Sequence, residues 1–127
     1  MIEKTKQNRI PFLTSWFVTI GNTIYIPKKY YNNCRTVAEF KRFSLPLFEH
    51  ENLHSERQEE YGVNKWLWKY ITDKSFKWQE EKLAYKREIE IKKALRIKIN
   101  KKWYFDTLKK YNMTSDEEIN KFLNEIL

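Results

Sequence analysis

Residues 44–62 read Ser-Leu-Pro-Leu-Phe-Glu-His-Glu-Asn-Leu-His-Ser-Glu-Arg-Gln-Glu-Glu-Tyr-Gly. Ser44 before Leu45-Pro46 has the form of a helix start, because a serine hydroxyl can accept from a free N–H of the first turn and proline needs no donor there. Gly62 stands just past the expected end, where a residue in the left-handed region can close a helix. A helix over about 45–60 therefore carries His50-Glu51-Asn52-Leu53-His54.

That pentad is H-E-x-x-H. A spacing of four sets both imidazoles on one helix face, about one turn apart. Both can then reach one Zn²⁺ at about 2.0–2.1 Å. Glu51 lies roughly 100° round the helix, beside the ion, where it can take a proton from water. The chain has two histidines, and the motif uses both. The plainer alternative is a surface helix whose histidines fall four apart by accident.

Two imidazoles do not complete a catalytic zinc site; a third protein ligand is needed. No histidine remains, and Cys34 lies upstream in an expected loop (28–36). A downstream carboxylate is the natural donor. Glu80 and Glu81, inside Trp-Gln-Glu-Glu-Lys-Leu-Ala-Tyr, lie on an expected helix over about 75–95, capped by Asp73 or Ser75. The spacing leaves the choice between the two open.

Upstream, residues 12–20 are rich in aromatic and β-branched side chains, and Gly21-Asn22 separates them from Thr-Ile-Tyr-Ile-Pro. This predicts a β-hairpin over about 12–27, ended by Pro27, which cannot donate to a ladder. Val37 and Phe40 fit a short helical turn, and residues 64–71 a short helix. Helices over about 103–111 and 116–126 finish the chain, the last opened by the capping box Ser115-x-x-Glu118. The expected fold class is α+β, a single domain over 1–127 with an N-terminal hairpin followed by a helical core.

Composition bounds the rest. The chain has 127 residues, with 41% hydrophobic and 17% aromatic, enough for one small core and too apolar for a disordered tail. One cysteine excludes an internal disulfide. No apolar run approaches the ~20 residues of a membrane span. The start, mildly basic and then apolar, has the order of a secretory leader, but Pro11, Thr14, Ser15 and Thr19 interrupt it, and the expectation is a cytoplasmic protein. The net charge of +8 is concentrated: residues 82–110 hold eleven Lys/Arg against Glu88, Glu90 and Asp106. Such a segment can grip phosphates, though a solvated face is the commoner outcome. The aromatic string Trp66, Trp68, Tyr70, Phe76, Trp78 and Tyr85 can stack bases or line a groove, but its helical spacing favours core packing.

Three elements together resemble a known family: Ile20-Gly21-Asn22-Thr23-Ile24-Tyr25-Ile26-Pro27, then His50-Glu51-Asn52-Leu53-His54, then Glu81-Lys82-Leu83-Ala84-Tyr85. The sequence resembles the small zincin-like, gluzincin-type metallopeptidase-like proteins of bacteria and their phages, over about residues 16–90. The resemblance implies a zincin-like core with Zn²⁺ as cofactor. It implies His50 and His54 as ligands, Glu51 as general base and Glu81 as third ligand, with Glu80 the runner-up. It implies a peptide or protein substrate and, if the protein is phage-encoded, the host cytoplasm. Where the family usually has an apolar residue after the catalytic glutamate, this chain has Asn52. Where a glutamine commonly follows the second histidine by about three, Arg57 stands and Gln58 comes next.

In such a site zinc lowers the pKa of its water towards ~7, Glu51 accepts the proton, and a second donor meets the developing oxyanion. Tyr85, Arg57 and Tyr70 are candidates for that donor. Tyr85, one turn past Glu81, can also bond a ligand from behind or simply pack in the core. The alternative function is a basic nucleic-acid-binding module, or a phage accessory protein, with a degenerate site.

Overall fold

Strands come first along the chain and helices follow. A computed structural model describes all of residues 1–127. Its strands are β1 (Lys4–Gln7), β2 (Val18–Ile20) and β3 (Thr23–Ile26). Its helices are α1 (Lys28–Tyr31), α2 (Val37–Phe43), α3 (Leu45–Tyr61), α4 (Val63–Thr72), α5 (Lys74–Ala94), α6 (Lys101–Lys110) and α7 (Asp116–Ile126). The fold is α+β. No helix is long and apolar enough to cross a membrane.

The sheet has the order β1-β3-β2, with β1 parallel and β2 antiparallel to β3. Gly21, at φ +61°, takes the first turn position between β2 and β3, which a residue with Cβ adopts poorly. The expected first hairpin strand is corrected in length: only Val18–Ile20 pairs, and residues 12–17 form turns. Pro27 ends β3 and so limits its partner. Asn8 holds the preceding loop instead, its Nδ2 donating to the carbonyls of Leu13 and Trp16, each at 2.7 Å. The expected loop over 28–36 is likewise corrected, since Lys28–Tyr31 forms a single helical turn.

β1 was not expected from the sequence. Its residues, Lys-Thr-Lys-Gln, carry no apolar alternation, as befits a charged edge strand. It is placed by its parallel ladder with β3, and the residue leading into it is tied to α3 by Asn52, whose Oδ1 accepts from the Ile2 N–H at 2.9 Å. That bond explains why a polar residue occupies position 52 of α3.

Ser44 caps α3 as expected, accepting from the Leu47 N–H, and Gly62 ends it at φ 88°. Gly62 has ψ 127°, outside the left-handed helical basin, so the chain turns directly into α4. Asp73 caps α5 and Ser115 caps α7.

Two apolar clusters hold the elements. Ile2, Ile24, Ile26, Cys34, Phe40 and Phe48 pack the sheet against α2 and α3. Trp78, Tyr85, Ile89, Tyr104, Leu108 and the inner face of α7 form the other. α3 packs chiefly on α5, and its buried face is polar: His50, Glu51, His54, Ser55 and Gln58. The burial of so many polar groups has a cost unless each finds a partner. Gln58 finds two on the hairpin, donating to the Thr19 carbonyl at 2.8 Å and accepting from the Gly21 N–H at 2.6 Å. Ser55 donates to the Gly21 carbonyl at 2.6 Å. The motif helix is thereby fixed against β2.

Candidate metal centre

α3 presents His50 and His54 to α5, which presents Glu81. His50 Nε2 lies 3.3 Å from Glu81 Oε1, and His54 Nε2 lies 3.0 Å from Glu81 Oε2. One possible ligand atom from each residue lies within 4.8 Å of the others, and all three residues are buried. Donor atoms of a tetrahedral zinc site with bonds of ~2.0–2.1 Å stand about 3.3 Å apart. The two histidine–carboxylate spacings are of that size, one to each oxygen of Glu81. Glu81 Oε1 and the Nδ1 atoms of both histidines are buried without a hydrogen bond. A cation shared by the three side chains would satisfy the orphaned carboxylate oxygen, so this donor set fits a divalent ion.

Glu80 does not join them. Its carboxylate accepts from Arg57 Nε at 3.0 Å and from Trp66 Nε1 at 2.6 Å. Neighbouring positions on a helix point about 100° apart, so one glutamate enters the histidine cluster and the other a separate ion pair. Arg57 goes with Glu80, away from the histidines. Cys34 lies in the sheet-side core. Its burial raises the thiol pKa.

Glu51 is 6% exposed and accepts from Thr19 Oγ1 at 2.7 Å. Burial raises its pKa, and the charges of His50 and His54 and the Thr19 bond offset part of that rise. Burial alone would lower the His50 pKa, but Glu81 and Glu88 outweigh it and hold it well above the ordinary value. Glu81 is the reverse case: burial would raise it, and the two histidines hold it well below the usual carboxylate range.

Among the three candidate oxyanion donors, Tyr70 reaches the cluster, donating to Glu81 Oε2 at 2.8 Å. Tyr85 lies behind His50, edge-on at 4.5 Å between ring centroids, with its hydroxyl 3.4 Å from that of Tyr111. Burial raises the pKa of Tyr70, Tyr85 and Tyr111 and keeps all three hydroxyls protonated.

Glu88 was missed in the sequence. Its Oε1 lies 3.0 Å from His50 Nδ1, within ion-pair reach but off the line of a hydrogen bond, and Tyr104 donates its hydroxyl to Oε2. The available signal was spacing: Glu88 follows Glu81 by seven, two turns along the same face of α5. Thr19, on a strand distant in sequence, had no such signal.

A cavity of about 450 Å³ opens over the cluster. His50, Glu51, His54 and Glu81 line it together with Tyr70 and Tyr111. Trp16, Leu13, Trp66 and Ile71 add apolar wall. The aromatic string is therefore divided. Trp66 and Tyr70 face the cavity, Trp78 and Tyr85 fill the core, and Trp68 is 70% exposed. The basic segment is partly neutralised: Arg87 pairs with Glu56 at 3.2 Å, Lys102 with Asp106 at 3.1 Å and Lys109 with Asp116 at 3.4 Å.

Compared with family models, curated proteins and solved structures, the chain matches none.

Proposed function

We propose that this protein is a zinc-dependent, metallopeptidase-like hydrolase of peptide bonds with a zincin-like core. The observation that carries this reading is the buried convergence of His50, His54 and Glu81 beside Glu51, at one wall of a cavity. His50, His54 and Glu81 would hold the ion. When bound, zinc supplies Lewis acidity, polarising a carbonyl and making water more acidic. Glu51, held by Thr19, takes the proton from the attacking water and returns it to the leaving amine. Its raised pKa brings it nearer the working range of a general base. Tyr70 donates to Glu81 and, protonated, can turn to the developing oxyanion. The apolar part of the wall lowers the local polarity, which strengthens each of these interactions.

The test is metal content followed by activity. About one zinc per chain, lost in His54→Ala, supports the metal site. Peptide hydrolysis that falls in Glu51→Gln with zinc retained supports the enzyme. A purified protein that takes up no zinc overturns the reading. Steeply salt-dependent DNA binding, unchanged in Glu51→Gln and unaccompanied by hydrolysis, would instead favour a basic nucleic-acid-binding module.

A further inference from the structure

Lys77 precedes Glu81 by one turn of α5 and lines the same cavity. Its Nζ lies 5.2 Å from the ring centroid of Tyr70 and 5.2 Å from that of Tyr111. Lys110, at the end of α6, lines the cavity too. Neither lysine forms an ion pair. Glu80, three residues on, is held by Arg57 and Trp66, and Glu81, four residues on, faces His50, His54 and Tyr70; Glu81 makes no ion pair with Lys77, though its charge acts to raise the Lys77 pKa. Lys77 is half-buried, and that burial lowers its pKa, so the unpaired ammonium is kept at a cost. The remaining wall is mostly apolar: Leu13, Trp16, Trp66, Leu67 and Ile71. The cavity thus combines a large apolar wall, the His50–His54–Glu81 cluster and, one helical turn before Glu81, an ammonium that forms no ion pair.

We propose that Lys77, with Lys110 beside it, forms a carboxylate-binding subsite of this cavity, selecting peptides that carry an anionic group next to a bulky apolar residue. The anion is either a C-terminal carboxylate or an acidic side chain. The location within a substrate cleft rests on the peptidase reading; the binding of the anion does not require cleavage. Tyr70 and Tyr111 hold the ammonium by their ring faces and leave its protons free to donate. An incoming carboxylate gains charge-assisted hydrogen bonds in a partly dry site. An amide in the same position offers the ammonium only a neutral carbonyl oxygen and no opposite charge.

The experiment uses three probes: acetyl-Leu-Phe with a free carboxylate, its C-terminal amide, and acetyl-Leu-Phe-Asp amide. Binding is measured by calorimetry on the full chain, zinc-loaded and after chelation, for the wild type and for Lys77→Met, Lys77→Arg and Lys110→Met. The wild type is expected to bind an anionic probe about tenfold tighter than the neutral amide in both metal states. Lys77→Met should erase the preference, Lys77→Arg should keep most of it, and Lys110→Met should weaken it less than Lys77→Met does. Preference for acetyl-Leu-Phe identifies a terminal carboxylate as the anion, and preference for the Asp peptide a side chain. Equal binding of all three probes, binding of none, a preference that survives Lys77→Met, or one that disappears on chelation overturns the proposal. The two readings fail separately. Lys77-dependent preference in a protein that takes up no zinc removes the peptidase alone. Zinc binding and hydrolysis without the preference remove the subsite alone.

Discussion

Glu88 Oε1 lies 3.0 Å from Nδ1 of His50, while the same ring presents Nε2 to Glu81 at 3.3 Å. The imidazole therefore has a carboxylate on either side. A carboxylate beside the second nitrogen raises the basicity of the ring. Tyr104 and Lys92 in turn hold Glu88.

On the proposed metal reading, Glu88→Gln is expected to weaken zinc binding by about tenfold, the low end of what losing a hydrogen-bonded partner costs. Competition with a chelator of known affinity measures it. Glu80→Gln, on the adjacent position but outside the cluster, should leave zinc affinity within a few-fold of wild type. Equal effects from the two substitutions would remove this role from Glu88.

Thr19→Val removes the hydroxyl that donates to Glu51 Oε2 at 2.7 Å. A hydrogen bond to a carboxylate favours its charged form, so the loss raises the Glu51 pKa further. In the proposed peptidase Glu51 must be deprotonated to act as base, so the acidic limb of the pH–rate profile should move upward by about half a unit to one unit. An unmoved limb, with the variant folded, would mean that Glu51 does not set it.

Without metal, the cluster makes stability depend on pH. His50 has a folded-state pKa well above 6.5, so its contribution is complete below that value and is lost as pH rises through the folded pKa. Glu81 has a folded pKa well below 4.5, so its contribution is present above that value and is lost as pH falls. Glu51, raised by burial, contributes fully below 4.5 and loses that contribution as pH rises through its folded pKa, which tilts the maximum towards its acid end. The Tm of the chelated protein should be highest between roughly pH 4.5 and 6.5 and should fall on going to pH 8.5. Zinc binds neutral imidazole and ionised carboxylate, so the difference between loaded and chelated Tm should widen over the same rise. Parallel curves in zinc and chelator would contradict both expectations.

Gln58 is fully buried and bonds two backbone groups of the hairpin, the Thr19 carbonyl and the Gly21 N–H. Gln58→Leu keeps an apolar stem and leaves the buried Thr19 carbonyl and the half-buried Gly21 N–H without this partner. The expected cost is about 1–3 kcal/mol in denaturant unfolding, chiefly from the buried carbonyl. A loss under about 0.5 kcal/mol would show that water reaches the turn and replaces the amide.

Local chemistry made much of this molecule legible. Ser44, Gly62, Asp73 and Ser115 mark helix ends because capping is decided within four residues of chain. The pairing of His50 with His54 was readable for the same reason, since helical geometry sets it. β1 was not readable: Lys4–Gln7 has no pattern of its own and is placed by pairing with β3 and by Asn52. The first hairpin strand was read too long, because aromatic residues at 12–17 look like strand until the Asn8 side chain is seen to hold them in turns.

The sequence by itself determined the class of donors and the helices that carry them, because residue type and a period of 3.6 are intrinsic to the chain. Only the tertiary structure put Glu81 rather than Glu80 against the histidines, brought Glu88 beside His50 and Thr19 against Glu51, and set Lys77 between two tyrosines in the cavity. The physical reason is that those contacts join elements far apart in sequence. Their geometry depends on how α5 is rotated against α3, and that rotation is set by the packing of two apolar clusters rather than by any short stretch of residues.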